Sequence, residues 1–175
     1  MATCVWRSPL PTIDRHKQMG VGMSGQKIQV QYFDGQSLEL DEDQASLPNE
    51  AQEALAAFLS LTNEQRLSEP SLVYQYYQDF RGVGDFADWL DEEMGVLTDD
   101  ETIWAHVSLD FLDVRQGVNG LWYVVAAGDC DWDLEHGIMM VWLQGAALTR
   151  VGPDDGDLGD YDRESEADQT SVIYL

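Results

Sequence analysis

At Trp104 the period at which apolar residues recur changes from helical to strand-like, and that switch limits the available folds more than any other feature. Before it, Ala51, Ala54, Leu55, Phe58, Leu59 and Leu61 return every three or four positions, which places them on one side of a helix. Pro48 stands where a first helical turn needs no N–H donor. Asn63 to Glu69 continues the helical stretch up to a break at Pro70. Leu72, Val73, Tyr76, Tyr77 and Phe80 then mark a second amphipathic helix ending near Gly82, and Phe86, Trp89 and Leu90 a shorter third. Thr98 followed by Glu101 has the form of a capping box, which predicts a helical turn carrying Ile103 and Trp104.

After Trp104 the period becomes two. Val107, Leu109 and Phe111 alternate with Ser108, Asp110 and Leu112; Leu121 to Ala127 is rich in aromatic and β-branched residues; Ile138 to Leu143 and Ala146 to Val151 flank the turn pair Gln144-Gly145. Upstream, Ile28, Val30 and Tyr32 alternate with Gln29, Gln31 and Phe33. This predicts a strand closed by Asp34-Gly35, with Ser37 to Leu40 completing a hairpin. Helices grouped before strands predict an α+β fold: an N-terminal strand or hairpin, three to four helices, then a C-terminal antiparallel meander with the helices packed on one face of the sheet. The chain reads as a single domain over residues 1–175. Its parts are a loop-rich segment (1–26), a hairpin plus helical part (27–104), the meander (105–152), and an acidic loop with a terminal strand at Ser171 to Leu175 (153–175).

Charge bears on partners rather than on fold. The chain has 33 acidic and 9 basic side chains, a formal charge of -24, and no Lys or Arg between Arg81 and Arg115. A field of this sign repels nucleic acid and anionic lipid and attracts cationic surfaces, so neither nucleic acid nor membrane is expected as a partner. Aromatic residues recur from Trp6 to Tyr174 and need something to pack against, which argues against wholesale disorder. No apolar run approaches the ~20 residues that span a bilayer. Arg7, Pro9, Pro11 and Asp14 interrupt any signal-peptide pattern. Cys4 and Cys130 allow at most one disulfide, which fits a reducing compartment. The expected location is cytoplasmic.

The densest polar constellation is Cys130-Asp131-Trp132-Asp133-Leu134-Glu135-His136-Gly137, between two predicted strands. Its residue types include metal ligands, but a Cys-x-x-Cys pair and a second nearby His are missing. It reads as a turn in which Asp131 or Asp133 bonds backbone amides, Trp132 packs on the sheet edge and Gly137 supplies a conformation closed to other residues. The competing reading is a metal-dependent enzyme using Asp131, Asp133, Glu135 and His136. Asp154 to Asp162 is acidic and glycine-containing but fails the EF-hand pattern, with Gly159 and Asp160 at the fifth and sixth positions counted from Asp155. His16, His106 and His136 are the only imidazoles, and no nucleophile elbow or phosphate-binding glycine loop is present. No catalytic residue, cofactor or metal is therefore expected.

The acidic tract offers a different chemistry. Carboxylates on a folded scaffold can stand in for phosphates in the groove of a basic protein, and Trp89 adds the aromatic anchor that charge alone lacks. The expected contact residues are Asp85, Asp88, Trp89, Asp91, Glu92, Glu93, Asp99 and Asp100, within the tract from Asp85 to Glu101, with Asp110 and Asp113 on the solvent side of a strand.

The run from Cys130 to Gly152 resembles an uncharacterised bacterial domain-of-unknown-function family sharing a Trp-x-x-Glu-His-Gly signature, here Trp132, Glu135, His136 and Gly137. The likeness extends upstream to Leu47-Pro48-Asn49-Glu50-Ala51-Gln52, to Tyr76-Tyr77 and to Glu101 through Trp104, covering residues 45–152. It also resembles small acidic immunity proteins that accompany polymorphic toxins. The resemblance implies a non-enzymatic inhibitor of a basic toxin of nuclease or deaminase class; a DNA-mimic protein binding a nucleoid or restriction factor is the alternative.

Overall fold

The computed structural model describes residues 25–68, 72–84, 86–97 and 102–159. Six strands lie side by side in chain order: β1 (Gln26–Val30), β2 (Gln36–Leu40), β3 (Val107–Gln116), β4 (Trp122–Cys130), β5 (Ile138–Leu143) and β6 (Ala147–Gly152). All neighbours are antiparallel except β2 and β3, where Glu39 and Leu40 pair in parallel with Phe111 and Leu112. A hairpin cannot join parallel strands. The connection instead carries four helices: α1 (Asn49–Leu59), α2 (Asn63–Ser68), α3 (Leu72–Arg81) and α4 (Phe86–Glu93). The architecture is α+β, with the helical part inserted as a crossover between the second and third strands.

Ala51, Ala54, Leu55 and Phe58 are the buried residues of α1, the i, i+3, i+4, i+7 stripe that the sequence displays. Phe58 meets Trp142 of β5 with ring centroids 4.8 Å apart, and Tyr32 stands edge-on to the same indole at 5.5 Å. Aromatic pairs of this kind add about 0.5–1.5 kcal/mol each beyond the area they bury. The sheet is apolar on both faces. Val124, Ala126, Ile138, Met140 and Trp142 belong to the main core, whereas Tyr123, Val125, Met139, Val141 and Leu158 form a second cluster. That is why Ile138 to Leu143 reads as an unbroken apolar run rather than an alternation.

Local departures from the expected elements have identifiable causes. The first strand stops at Val30, and Gln31–Phe33 form a 3-10 turn that buries both Tyr32 and Phe33, which a continuing strand would send to opposite faces. Asp34 (φ 56) and Gly35 (φ 79) then reverse the chain. The first helix ends at Leu59 rather than continuing through Asn63. Thr62 and Gln65 form a reciprocal capping box that starts α2 afresh: the Thr62 N–H donates to Gln65 Oε1 at 2.9 Å, and the Gln65 N–H to Thr62 Oγ1 at 3.4 Å. In β3 the register shifts between Leu109 and Phe111. The extra residue inverts the alternation, so Leu112 and Val114, not Phe111, continue the buried face of Leu109. The next strand, β4, runs on to Cys130, past the expected end at Ala127. Thr102–His106 form the 3-10 turn that buries Ile103. The capping-box residues Thr98 and Glu101, the terminal strand at Ser171 to Leu175, and Cys4, His16, Asp160 and Asp162 lie outside the described residues.

Gln144 (φ 50) and Gly145 (φ 70) form the expected β5–β6 turn, which presses against α1: a Cβ on Gly145 would lie 1.8 Å from the Ala54 carbonyl oxygen. Gly120 (φ 79) has similar backbone geometry with open space around it. Gly120→Ala is expected to cost about 1 kcal/mol, the left-handed penalty alone. Gly145→Ala should cost about 3 kcal/mol or more, because backbone must also move. Urea unfolding of the two variants measures the difference, and equal losses would refute the close-approach argument.

Candidate functional site

The β4–β5 connection brings the Cys130 to Gly137 residues into a folded turn, and its side chains diverge. Trp132 is fully buried and stands edge-on to Tyr76 at 5.7 Å and Tyr77 at 6.0 Å, both from α3. It lies in the core rather than on the sheet edge. Asp133, 5% exposed, also points inward. Its carboxylate accepts the Tyr76 hydroxyl at 2.8 Å and the His136 backbone N–H at 2.9 Å, with His136 Nδ1 at 3.1 Å. Burial, and then the bond to Asp133, raise the Tyr76 pKa far above the ordinary phenol value, so this hydroxyl stays a donor. Gly137 (φ 68) donates its N–H to the Asp133 carbonyl at 2.8 Å. A Cβ there would lie 2.4 Å from the Gly128 carbonyl oxygen, so the position demands glycine.

Asp131 turns the other way. It is exposed, and its Oδ2 lies 2.9 Å from Nδ1 of His106, while its N–H donates to the His106 carbonyl at 3.1 Å. Glu135 is exposed, and His136 is half-exposed beside Asp133. Asp131, Asp133, Glu135 and His136 therefore do not converge on one point, and no cluster of three or more metal-ligating side chains occurs among the described residues. The Cys130 thiol is pushed up to about 12 by burial, against the opposing effect of its contact with the Asp133 carbonyl, and so is a thiol rather than a thiolate at neutral pH. The carboxylate-to-amide bond and the positive-φ Gly137 are as the sequence suggested, with Asp133 as the carboxylate that holds the turn, whereas Trp132 is in the core.

The acidic tract is placed differently. Leu90 is the one buried residue of α4, and Phe86 and Trp89 are 44% and 37% exposed. Phe86 packs on Phe80 of α3 at 5.2 Å, and Trp89 stands at 69° to Phe86 at 6.4 Å. Asp88, Glu92 and Glu93 of the same helix are exposed. Asp91 is not part of that open surface: it accepts Arg81 Nε at 3.2 Å and Nη2 at 2.7 Å, a bidentate pair that ties α4 to α3. Asp85, Asp99, Asp100 and Glu101 lie outside the described residues. Asp110 is exposed at the β3 bulge, whereas Asp113 is half-buried and bonds the Val114 N–H and Arg115. No helix among the described residues is long and apolar enough to cross a membrane.

A family model described as "Domain of unknown function (DUF6985)" matches residues 12–158. The chain belongs to the DUF6985 family. No curated protein and no solved structure matches it. The DUF6985 match takes in all six strands and the four helices, so the Asp133 turn and the α3–α4 face both lie within the family domain.

Sequence reasoning missed Tyr76 and His106 as partners of the turn. Each lies at least 25 residues from the carboxylate it meets, and local spacing carries no such signal. Tyr76→Phe deprives buried Asp133 of a donor and is expected to cost about 1–3 kcal/mol in urea unfolding, whereas exposed Glu135→Ala should change stability by under about 0.5 kcal/mol. In a Cys4→Ser background, Ellman's reagent should modify Cys130 no faster than the protein unfolds at pH 8. Rapid labelling of the native state would contradict the buried, protonated thiol.

Proposed function

We propose that this DUF6985 protein is a non-enzymatic binding protein that docks a basic protein on its α3–α4 face. In its finer form it is a cytoplasmic immunity-type inhibitor that blocks a basic bacterial toxin of nuclease or deaminase class. The observation that carries this reading is the exposed Phe86–Trp89 pair, on the same helix as the exposed Asp88, Glu92 and Glu93 and fixed by Leu90 and the Arg81–Asp91 pair.

Exposed aromatic pairs at a rigid position are the kind of residue on which binding energy concentrates. Surrounding carboxylates raise the encounter rate with a cationic surface, and the desolvated rings slow dissociation. Arg81, at the end of α3, is paired with Asp91, so the two charges cancel locally. The polar turn at Asp133 supports the same reading from the other side, because its groups are engaged in holding the fold.

Coexpression with a toxin domain encoded beside its gene is expected to restore growth. The complex should form at low salt and weaken steeply as salt rises. A neighbouring toxin that the protein neither binds nor neutralises would overturn the inhibitor reading, and displacement by duplex DNA would move it to the DNA-mimic class.

A further inference from the structure

Trp89 sits in a setting that the protein uses elsewhere in filled form. On α2, the Arg66 guanidinium lies over the Trp104 ring at 4.6 Å, and its Nη2 donates to Asp34 at 2.6 Å. Indole below and carboxylate at the rim hold a planar cation by stacking and by charge-assisted hydrogen bonds together. The same residue types recur on α4, where no cation–ring contact with Trp89 occurs among the described residues. Side chains three and four apart on a helix are neighbours, and each Cα–Cβ bond leans toward the N-terminus. Glu92 and Glu93, three and four positions beyond Trp89, are therefore its neighbours on the helix surface, while Phe86, one turn before, stands edge-on to it. Glu92 and Glu93 are exposed, and Trp89 is 37% exposed.

We infer that Trp89, with Glu92 and Glu93, is a seat for an arginine side chain of the basic partner. This rests on the α3–α4 docking reading and specifies the group that the face receives. Arginine is preferred to lysine because a guanidinium is planar, weakly hydrated and forked, so it can stack on the ring and still donate to carboxylates; an ammonium is a compact, strongly hydrated charge that stacks poorly. The seat is held ready. Phe86 rests on Phe80, Leu90 is fully buried, and Arg81 clamps Asp91, so α4 need not reorder to receive the side chain. No Lys or Arg of the chain falls between Arg81 and Arg115, so no neighbouring base along this stretch fills the place.

The test uses nona-arginine and nona-lysine as probes of equal charge, titrated at low salt against the full chain. Wild type should bind both, nona-arginine more tightly. Trp89→Ala leaves net charge untouched and is expected to weaken nona-arginine about fivefold to tenfold and nona-lysine less than about twofold. Glu92→Gln with Glu93→Gln should likewise reduce the arginine preference, giving a second measure on a surface substitution that spares the core. Unfolding midpoints close to wild type show that the variants are folded. If Trp89→Ala binds both peptides as wild type does, or loses both equally, the arginine seat is refuted while acidic docking stands. If wild type binds neither peptide, the docking reading fails and the seat with it.

Discussion

The parallel pairing of β2 with β3 is the constraint on which the rest of the structure depends. It obliges the chain between Leu40 and Val107 to return along the sheet before the next strand can begin, and helices fill that return. α1 lies on β3 and β4, and α3 packs against β6, which places Tyr76 and Tyr77 over Trp132. α4 is left to rest on α3. Covered on one side only, it buries Leu90 and keeps Phe86 and Trp89 open. The candidate docking face is thus a consequence of topology: α4 packs on α3, and its Phe86 and Trp89 stay exposed.

The buried carboxylate of Asp133 shows how the same fold handles a polar group it cannot leave in water. An unpaired buried carboxylate would be strongly destabilising. Here Tyr76 from α3, the His136 N–H and the His136 ring surround it, so the crossover helix and the β4–β5 turn are joined by hydrogen bonds as well as by the aromatic packing around Trp132. Gly137 lets the turn approach Gly128 closely enough to close. The Trp-x-x-Glu-His-Gly residues accordingly differ in what they do: Trp132 and Gly137 set the packing and backbone, His136 supplies donors, and Glu135 faces solvent.

Elements held by local chemistry were legible in the sequence. The α1 stripe, the period change after Trp104, and the Asp34-Gly35 and Gln144-Gly145 turns all depend on residues within a few positions of one another. The capping box at Thr62 and Gln65 was equally local and could have been read, since it has the required form. What was hidden depends on distant partners. Nothing near Asp110 marks the bulge that turns Leu112 inward, because the register of β3 is set against β4. Nothing near Asp131 or Asp133 tells which meets His106 and which meets Tyr76. For the candidate face, sequence placed Trp89 among acids but not Asp91 against Arg81, an interaction that needs the angle between two helices.

The charge balance gains meaning once the bases are located. Arg66, Arg81, Arg115 and Arg150 are each paired with an aspartate: Asp34, Asp91, Asp113 and Asp155. Among the described residues these four cations are engaged in ion pairs, while carboxylates such as Asp88, Glu92 and Glu93 are exposed at the surface. A field of one sign acts over the Debye length, about 10 Å at 0.1 M salt, and so governs how quickly a cationic partner arrives and how sharply that rate falls as salt is added. It does not choose among cationic partners, since any basic surface feels it. Choice requires contact at a fixed geometry, and Phe86 and Trp89 are aromatic groups set in the acidic surface with their backbone anchored by buried neighbours. In the proposed docking, attraction and selection would therefore reside in different residues: the first in a charge excess spread over the molecule, the second in one helix whose position follows from the crossover.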